Sequence, residues 1–370
     1  MTAGNGHNGR IRVAVVFGGR SDEHDVSLRS AQTIMNALHP DRYEVVPLGI
    51  TREGRWIAGG DPMAALVAES PMFHLQSGEQ TSPKPANGSL VPANGADTLM
   101  PGGVTDTVDV VFPALHGPMG EDGTLQGMLR MAGVPFVGSG VLGSAAAMDK
   151  AMTKVVIDKA GIPQLPWMLV MRRDWERDAK AVEQKIAGEI GFPCFTKPAN
   201  LGSSVGISKV HDASELHEAL AQAAHFDRRI VVEKGVSGRE LEISVLGNDD
   251  PVVSIAGEIR PRGEFYDYNA KYIDDTAELI IPADIPSEAQ AQLEEYAARA
   301  FRALDLAGLA RVDFFLEHGT GQIYLNEVNT LPGFTSISMY PMLWEASGVP
   351  LTELVDRLVR LAIERHEELG

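Results

Sequence analysis

The apolar positions of this 370-residue chain follow two rhythms. Residues 11–17 (IRVAVVF) are nearly continuous in apolar character, the pattern of a strand buried on both faces. Residues 43–50 and 108–113 read as two more strands, and a helix is expected from about Val26 between the first pair. Strands alternating with helices predict a parallel α/β layer. Residues 134–137 predict another short strand, and residues 145–160 a helix that stops at Gly161 with Pro163 beyond it. From Trp167 onward strands follow more densely, at 167–170, 192–197 and 230–233, then as an antiparallel pair at 240–246 and 252–258. Asp212 with Glu215, and Ser287 with Gln290, have capping-box spacing. They place helix starts there, the second opening a helix over 288–304. The chain ends in an amphipathic helix with Leu351, Leu354, Val355, Leu358, Val359 and Ala362 on one side.

Two stretches lack either rhythm. Residues 69–103 are rich in Pro, Gly, Ser and Asn and read as a surface insertion without chemistry. Residues 260–278 (RPRGEFYDYNAKYIDDTAE) are polar and aromatic without a period, as expected of a functional lid or an Ω-loop.

Composition narrows the function. The length suits two or three domains. A net charge of -18 argues against a nucleic-acid partner, which wants a basic face, but leaves room for a nucleotide in a locally basic pocket. The single cysteine, Cys194, excludes an internal disulfide and a Cys-rich zinc site, and fits a reducing cytoplasm. The start, MTAGNGHNGR, has no apolar core of a signal peptide, and no apolar run has the length of a bilayer span, so no membrane partner is expected.

The chemistry concentrates near the C-terminus. Residues 310–317 and 322–329 read as two strands joined by a turn at 318–321. Alternation puts Arg311 and Asp313 on one face, and Glu327 and Asn329 likewise. If the hairpin aligns those faces, a guanidinium meets carboxylate and amide oxygens, hard ligands suited to Mg²⁺ or Mn²⁺. An exposed hairpin with a solvated polar face fits the same pattern. Gly333 and the hydroxyls of Ser336 and Ser338 follow directly. Upstream, TKPANLGSSVG ends a strand at Lys197 and continues into a Gly/Ser loop holding Ser203 and Ser204, whose backbone N–H groups could cradle phosphate. A hairpin turn with a surface lysine is the plainer alternative. Glu233 and Glu240 could read an adenine edge and a ribose, or be ordinary surface charge. His116, in HGPMGEDGTLQ, and Glu23 and Ser27 follow strands of the α/β layer, where ligands bind at carboxyl ends. The GSGVLG run at 138–143 matches the dinucleotide fingerprint but does not open the first βαβ unit and is read as a decoy.

HGPMGEDGTLQ, MDK at 148–150, TKPANLGSSVG, YDYNAKY, ARVDFF and NEVNTLPGFTSIS occur in this order and together resemble the D-alanine–D-alanine ligase family of the ATP-grasp superfamily. The resemblance implies an N-terminal Rossmann-like α/β domain (1–130, with the insertion), a central ATP-grasp lobe (131–235) and a C-terminal lobe with metal site and lid (236–370). It implies ATP-dependent joining of two D-alanines through an acyl phosphate, in the cytoplasm, by a homodimer using two Mg²⁺. Lys150 and Lys197 then contact ATP with Ser204, and Glu233 and Glu240 contact adenine and ribose. Asp313, Glu327 and Asn329 match the metal ligands. Arg311 and the Gly333 N–H face the acyl phosphate and the oxyanion. Glu23, Ser203 and Tyr272 form a hydrogen-bonded trio that closes the lid. His116 lies near the first substrate's carboxylate, Lys271 beside the transferred phosphate, and Ser338 near the second carboxylate.

Overall fold

The computed structural model describes residues 9–70, 89–90, 108–261 and 277–369. Lys271 and Tyr272, most of the insertion and nearly all of the expected lid lie outside them.

The first sheet contains β1 (Ile11–Gly18), β2 (Tyr43–Ile50), β3 (Trp56–Ala58), β4 (Ser89–Leu90) and β5 (Val110–Pro113), in the order β4-β3-β2-β1-β5. β1 runs parallel to β2 and β5, and β3 is antiparallel to β2 and β4. Residues 13–17 are wholly buried, as their unbroken apolar run predicts. Around this sheet come α1 (His24–Ala37), α2 (Pro62–Val67) and α3 (Thr124–Met131). The helix expected from Val26 starts two residues earlier. The strand expected at 134–137 is reduced to a single bridge between Val111 and Phe136, since Pro135 has no N–H to extend a ladder.

The helix expected over 145–160 is two helices, α4 (Val141–Met148) and α5 (Lys150–Lys159). Asp149 between them is extended, and its carboxylate accepts from Met152 N at 2.9 Å as an N-cap. Gly143, in the first turn of α4, serves packing: a Cβ there would lie 2.6 Å from the Asp305 carbonyl.

Two antiparallel sheets follow. The second holds β6 (Trp167–Met171), β7 (Cys194–Pro198), β8 (Ser208–Val210) and β9 (Arg229–Lys234), ordered β6-β9-β7-β8, with α6 (Arg172–Arg177), α7 (Ala179–Glu189) and α8 (Leu216–Phe226). The third holds β10 (Gly238–Gly247), β11 (Val252–Pro261), β12 (Ala277–Ile280), β13 (Gly308–Glu317) and β14 (Ile323–Asn329), ordered β12-β11-β10-β13-β14. The apolar side of α9 (Ser287–Ala303), with Leu293, Ala297, Ala300 and Phe301, covers its core. This is the expected sequence of a mostly parallel α/β layer and two α+β lobes.

Neither capping box forms as read. Asp212 accepts from Ser214 N and Glu215 from His211 N, each at 2.8 Å, closing a turn before α8 starts at Leu216. α9 begins at Ser287 behind Pro286, and Gln290 reaches out to the Ala256 N–H at 3.1 Å, tying the helix to β11. After α10 (Met339–Ala346), the last helix, α11 (Leu351–Leu369), buries Leu354, Val355, Leu358, Val359 and Ala362 as its periodicity predicts. They pack with Val13, Val15, Phe17 and Phe112 of the first sheet, so the chain's end returns to the core where it began.

Candidate active site

The hairpin aligns its polar faces through a register shift between Asp313 and Phe314, beyond what alternation alone supplies. Arg311 pairs with Asn329 and Asp313 with Glu327 across β13 and β14. The Arg311 fork donates to both oxygens of Asp313 at 2.7 Å, and its Nε lies 3.1 Å from Glu242, which sits opposite Asp313 on β10. Lys150 Nζ lies 2.9 Å from Glu327, and the Asn329 side-chain oxygen accepts from Leu331 N at 3.0 Å. The donor set is all oxygen, two carboxylates and an amide, which suits a hard cation of the Mg²⁺ type. Among the described residues no group of three His, Cys, Asp or Glu is placed to hold a metal, and the third oxygen of this set is the Asn329 amide.

A cleft of about 1010 Å³ lies between the two antiparallel sheets, lined by Lys150, Lys197, Ser204, Glu233, Glu240, Asp313 and Glu327 among others. At its wall, β7 carries Lys197 one residue before its end at Pro198 and passes into the loop of residues 199–206. Ser203 and Ser204 have φ of 52° and 60°, a turn of backbone that exposes successive N–H groups. Gly206, with φ of 71°, must be glycine, since a Cβ there would meet Phe226 at 2.6 Å and Pro198 at 2.8 Å. Lys150 fastens this loop: its N–H donates to Ala199 O at 2.8 Å and its Nζ to Leu201 O at 2.6 Å. Asp149 also receives Asn200 Nδ2 at 3.1 Å and pairs with Arg229.

Glu233, 1% exposed, is gripped by two ammonium groups. Lys197 donates to one oxygen at 2.7 Å and Lys154 to the other. Burial works against the Glu233 charge, but Lys197 and Lys154 outweigh it and hold the carboxyl below its usual range. Burial also lowers Lys154, whose charge Glu233 supports and Lys197 opposes. With two cations on one anion, Glu233 stays ionised and Lys154 is the weakened cation. Behind Glu240, Arg239 forms a two-pronged bond to buried Glu258 at 2.9 and 2.6 Å.

A second cavity of about 130 Å³ is lined by Glu23, His116, Glu121, Ser203, Arg311, Asn329, Gly333 and Ser338 among others. Glu242 and Glu327 line both spaces, so the hairpin stands at their junction. Glu23 lies against the serine loop: a Cβ on Gly202 would be 3.5 Å from its carboxylate. Ser203 Oγ is buried with no hydrogen-bond partner among the described residues. His116 is buried, with Nδ1 3.0 Å from Leu331 O and Nε2 3.2 Å from Ser30 Oγ, and burial lowers its pKa. Glu121 accepts from Gly117 N at 2.5 Å, and burial, then repulsion from Glu23, push it up to about 8. Ser338 Oγ accepts from Thr335 N at 3.0 Å and fills the space beside Gly333, where a Cβ would lie 2.8 Å from it.

The expected residues within the described region thus gather around two adjoining spaces. Ser27 does not join them: its Oγ accepts from Gly18 N at 2.8 Å and donates to Ala114 O at 2.5 Å, tying β1 to the chain after β5. Ser336 is exposed. Sequence reasoning did not assign Lys154, Glu242, Glu121 or Ser30 to the site. Lys154 stands one helical turn after Lys150, and Glu242 two residues after Glu240 on the same strand face, spacings that could have found both.

Residues 12–139 match the family described as D-ala D-ala ligase N-terminus, and residues 156–360 the one described as D-ala D-ala ligase C-terminus. The chain is 49% identical over 359 residues to the D-alanine--D-alanine ligase of Geobacillus thermodenitrificans, covering 97% of each. Among solved structures, the D-alanine-D-alanine ligase from Coxiella burnetii matches with a TM-score of 0.78 and 34% identity, over 97% of this chain and 96% of that one. The VanG D-Ala:D-Ser ligase from Enterococcus faecalis matches with a TM-score of 0.80 and 33% identity, over 95% and 99%.

Proposed function

The chain belongs to the D-alanine–D-alanine ligase family, and from that premise we propose how its own residues carry the reaction. It joins two D-alanine molecules into D-alanyl-D-alanine for peptidoglycan precursors, with ATP converted to ADP and phosphate. The supporting observation is the meeting of the large cleft and the small cavity at Glu327 and Glu242. A nucleotide in the first and an amino acid in the second bring phosphate and carboxylate together beside the hairpin.

A carboxylate is a poor electrophile, so its oxygen first attacks the γ-phosphorus, forming an acyl phosphate and releasing ADP. The amine of the second D-alanine then attacks the acyl carbon, and phosphate leaves. Lys150 and Lys197 offset phosphate charge, and the backbone N–H groups around Ser203 and Ser204 receive its oxygens. Glu233 and Glu240 take the adenine and ribose side of the cleft. Asp313, Glu327 and Asn329 would hold two Mg²⁺, or Mn²⁺ in their place, and such ions would neutralise charge on the transferring phosphoryl group. Arg311 and the Gly333 N–H face the oxyanion of the tetrahedral stage. Glu23 and Ser203, with Tyr272, secure the lid over the first D-alanine near His116. Lys271 accompanies the transferred phosphate, and Ser338 receives the second carboxylate. Water must be kept out, because it would hydrolyse the acyl phosphate.

We further assign residues 1–130, 131–235 and 236–370 as the working units, with α11 docked back on the first, and expect a cytoplasmic homodimer. Among the described residues no helix is long and apolar enough to cross a membrane. The test is D-alanine-dependent phosphate release from ATP. Tight ATP binding without that release would make the chain a non-catalytic nucleotide-binding protein.

A further inference from the structure

Ser30 lies within α1, is 1% exposed, and is not among the residues lining either cavity. Its hydroxyl nevertheless touches both sides of the small one. Phe334 N, the amide directly after Gly333, donates to Ser30 Oγ at 3.1 Å. The same oxygen lies 3.2 Å from His116 Nε2. His116 Nδ1 in turn lies 3.0 Å from the carbonyl of Leu331, two residues before Gly333. A carbonyl can only accept, so Nδ1 carries a proton. Ser30 Oγ already accepts from Phe334, so its own proton is free to go to Nε2 of a neutral ring. The bonds form one directed chain: Phe334 N–H to Ser30, Ser30 O–H to His116, His116 N–H to Leu331. It closes on the short segment that carries Gly333.

We propose that Ser30 is a positioning residue for the ligation step, its hydroxyl fixing the Gly333 segment and the His116 ring as one unit. The inference rests on the proposed role of the Gly333 N–H. Three separate chain segments meet at this oxygen: α1, the loop after β5 and the loop after β14. Asn329 holds this last loop at Leu331 N, where Glu121 also bonds the backbone, and Ser338 holds it at Thr335 N. Between these points Ser30 takes the Phe334 N–H and His116 the Leu331 carbonyl. A donor that acts on a developing oxyanion must be placed to a fraction of an ångström, so its loss of register shows in turnover before it shows in nucleotide binding.

The experiment is steady-state kinetics on the full chain for Ser30→Ala and Ser30→Thr, with Arg311→Lys in parallel. Ser30→Ala should lower kcat by about 10- to 100-fold while the KM for ATP stays within about twofold, because a displacement of about 1 Å is of that consequence. Ser30→Thr, which restores a hydroxyl, should recover most of the rate. The imidazole ¹⁵N shift of His116 Nε2 should move toward the unbonded value in Ser30→Ala and return in Ser30→Thr. Should Ser30→Ala not fold, Ser30→Cys, similar in shape but a weak hydrogen-bonding group, carries the same expectation. An unchanged kcat in Ser30→Ala, beside an impaired Arg311→Lys, overturns the inference alone. So does a parallel loss of kcat, ATP KM and melting temperature that threonine does not restore. Wild-type turnover by Arg311→Lys would overturn the reading of the oxyanion site itself, and the role of Ser30 with it.

Discussion

Arg311 serves two neighbours at once, holding Asp313 with its fork and standing 3.1 Å from Glu242. Removing it outright would leave a buried carboxylate without its cation, so alanine would confuse folding with chemistry. Lysine keeps the charge but loses the planar fork. Arg311→Lys should therefore reduce kcat by about 10² to 10³, the usual consequence of losing one oxyanion donor. Its melting temperature should stay within a few degrees of wild type by calorimetry. Glu327→Gln tests the other half of the site. It preserves shape and frees Lys150 from its 2.9 Å ion pair, yet removes a charge from the proposed cation-binding set. Turnover should fall more than about 100-fold, since such a cation supplies several kcal/mol of charge stabilisation. The Mg²⁺ concentration for half-maximal rate should rise, and a variant saturating at the wild-type Mg²⁺ level would move the metal elsewhere. Arg311, Asp313, Glu327 and Asn329 were legible in pairs because strand alternation is a local rule, but the register shift between Asp313 and Phe314 that sets Glu327 opposite Asp313 was not. Glu242 was not, because its place opposite Asp313 depends on the pairing of β10 with β13, 71 residues apart at that rung. Lys154 and Glu233 are likewise far apart in sequence, and a lysine on a helix usually ends in water.

The elements show where periodicity stops being informative. Apolar spacing gave one helix over 145–160, but it cannot see a break made by a single cap. Asp149 ends α4, caps α5, and anchors Arg229 and Asn200, so one residue sets both the helix direction and the loop that Lys150 holds. Asp149→Ala should destabilise the protein by about 3 kcal/mol, combining a lost cap with a half-broken, largely buried ion pair. Urea unfolding measures this, and the ATP KM should rise because the serine loop loses its anchor. An unchanged ATP KM would separate the network from nucleotide binding. Capping boxes failed for a related reason: Gln290 found a better donor on β11, a tertiary partner that a four-residue motif does not contain. The last helix was legible in its apolar stripe but not in its destination. Asp356 on α11 accepts from the Tyr43 hydroxyl at 2.7 Å and from Arg42 at 2.8 Å, fastening the helix to β2. Burial works against the Asp356 charge, but Tyr43 and Arg42 prevail and hold its pKa below the ordinary value. Its carboxylate therefore contributes stability above the unfolded-state pKa of about 3.9, and loses it as pH falls through the native value. Asp356→Asn should melt lower than wild type at pH 7, and the two melting curves should converge in acid. A difference independent of pH would show that the ion pairs of α11 are not what fasten it.

At the scale of the molecule, the carboxyl end of a parallel layer faces the small cavity, which adjoins the cleft between two antiparallel sheets. The alternation of strands and helices, then the denser strands after Trp167, made that division readable. The sizes and junction of the two spaces were not, because they arise from how the sheets pack. The small cavity carries a charge pattern that bears on the choice of acceptor. Among its described lining residues are the carboxylates of Glu23, Glu121, Glu242 and Glu327 against the single guanidinium of Arg311. A D-amino acid arrives with its nitrogen mostly as ammonium at neutral pH and must shed a proton to attack. D-lactate brings an uncharged hydroxyl instead. Glu327 belongs to the proposed cation-binding set and Glu121, pushed up to about 8 by burial, is mostly protonated at pH 7, so Glu23 and Glu242 are the carboxylates left to attract the ammonium form. A site built for the ester would place a cation where the ammonium comes. D-alanyl-D-alanine should therefore dominate over D-alanyl-D-lactate when equal concentrations of both acceptors compete at pH 7. D-serine shares the ammonium group and differs only by a hydroxyl, which an apolar contact rejects weakly, so its exclusion should be the less strict of the two. The measurement is a competition assay with all three acceptors and every product quantified by mass spectrometry. The D-alanyl-D-serine share should exceed the ester share at each pH from 6 to 8. Predominant ester at pH 7 would show that charge in this cavity does not select the acceptor.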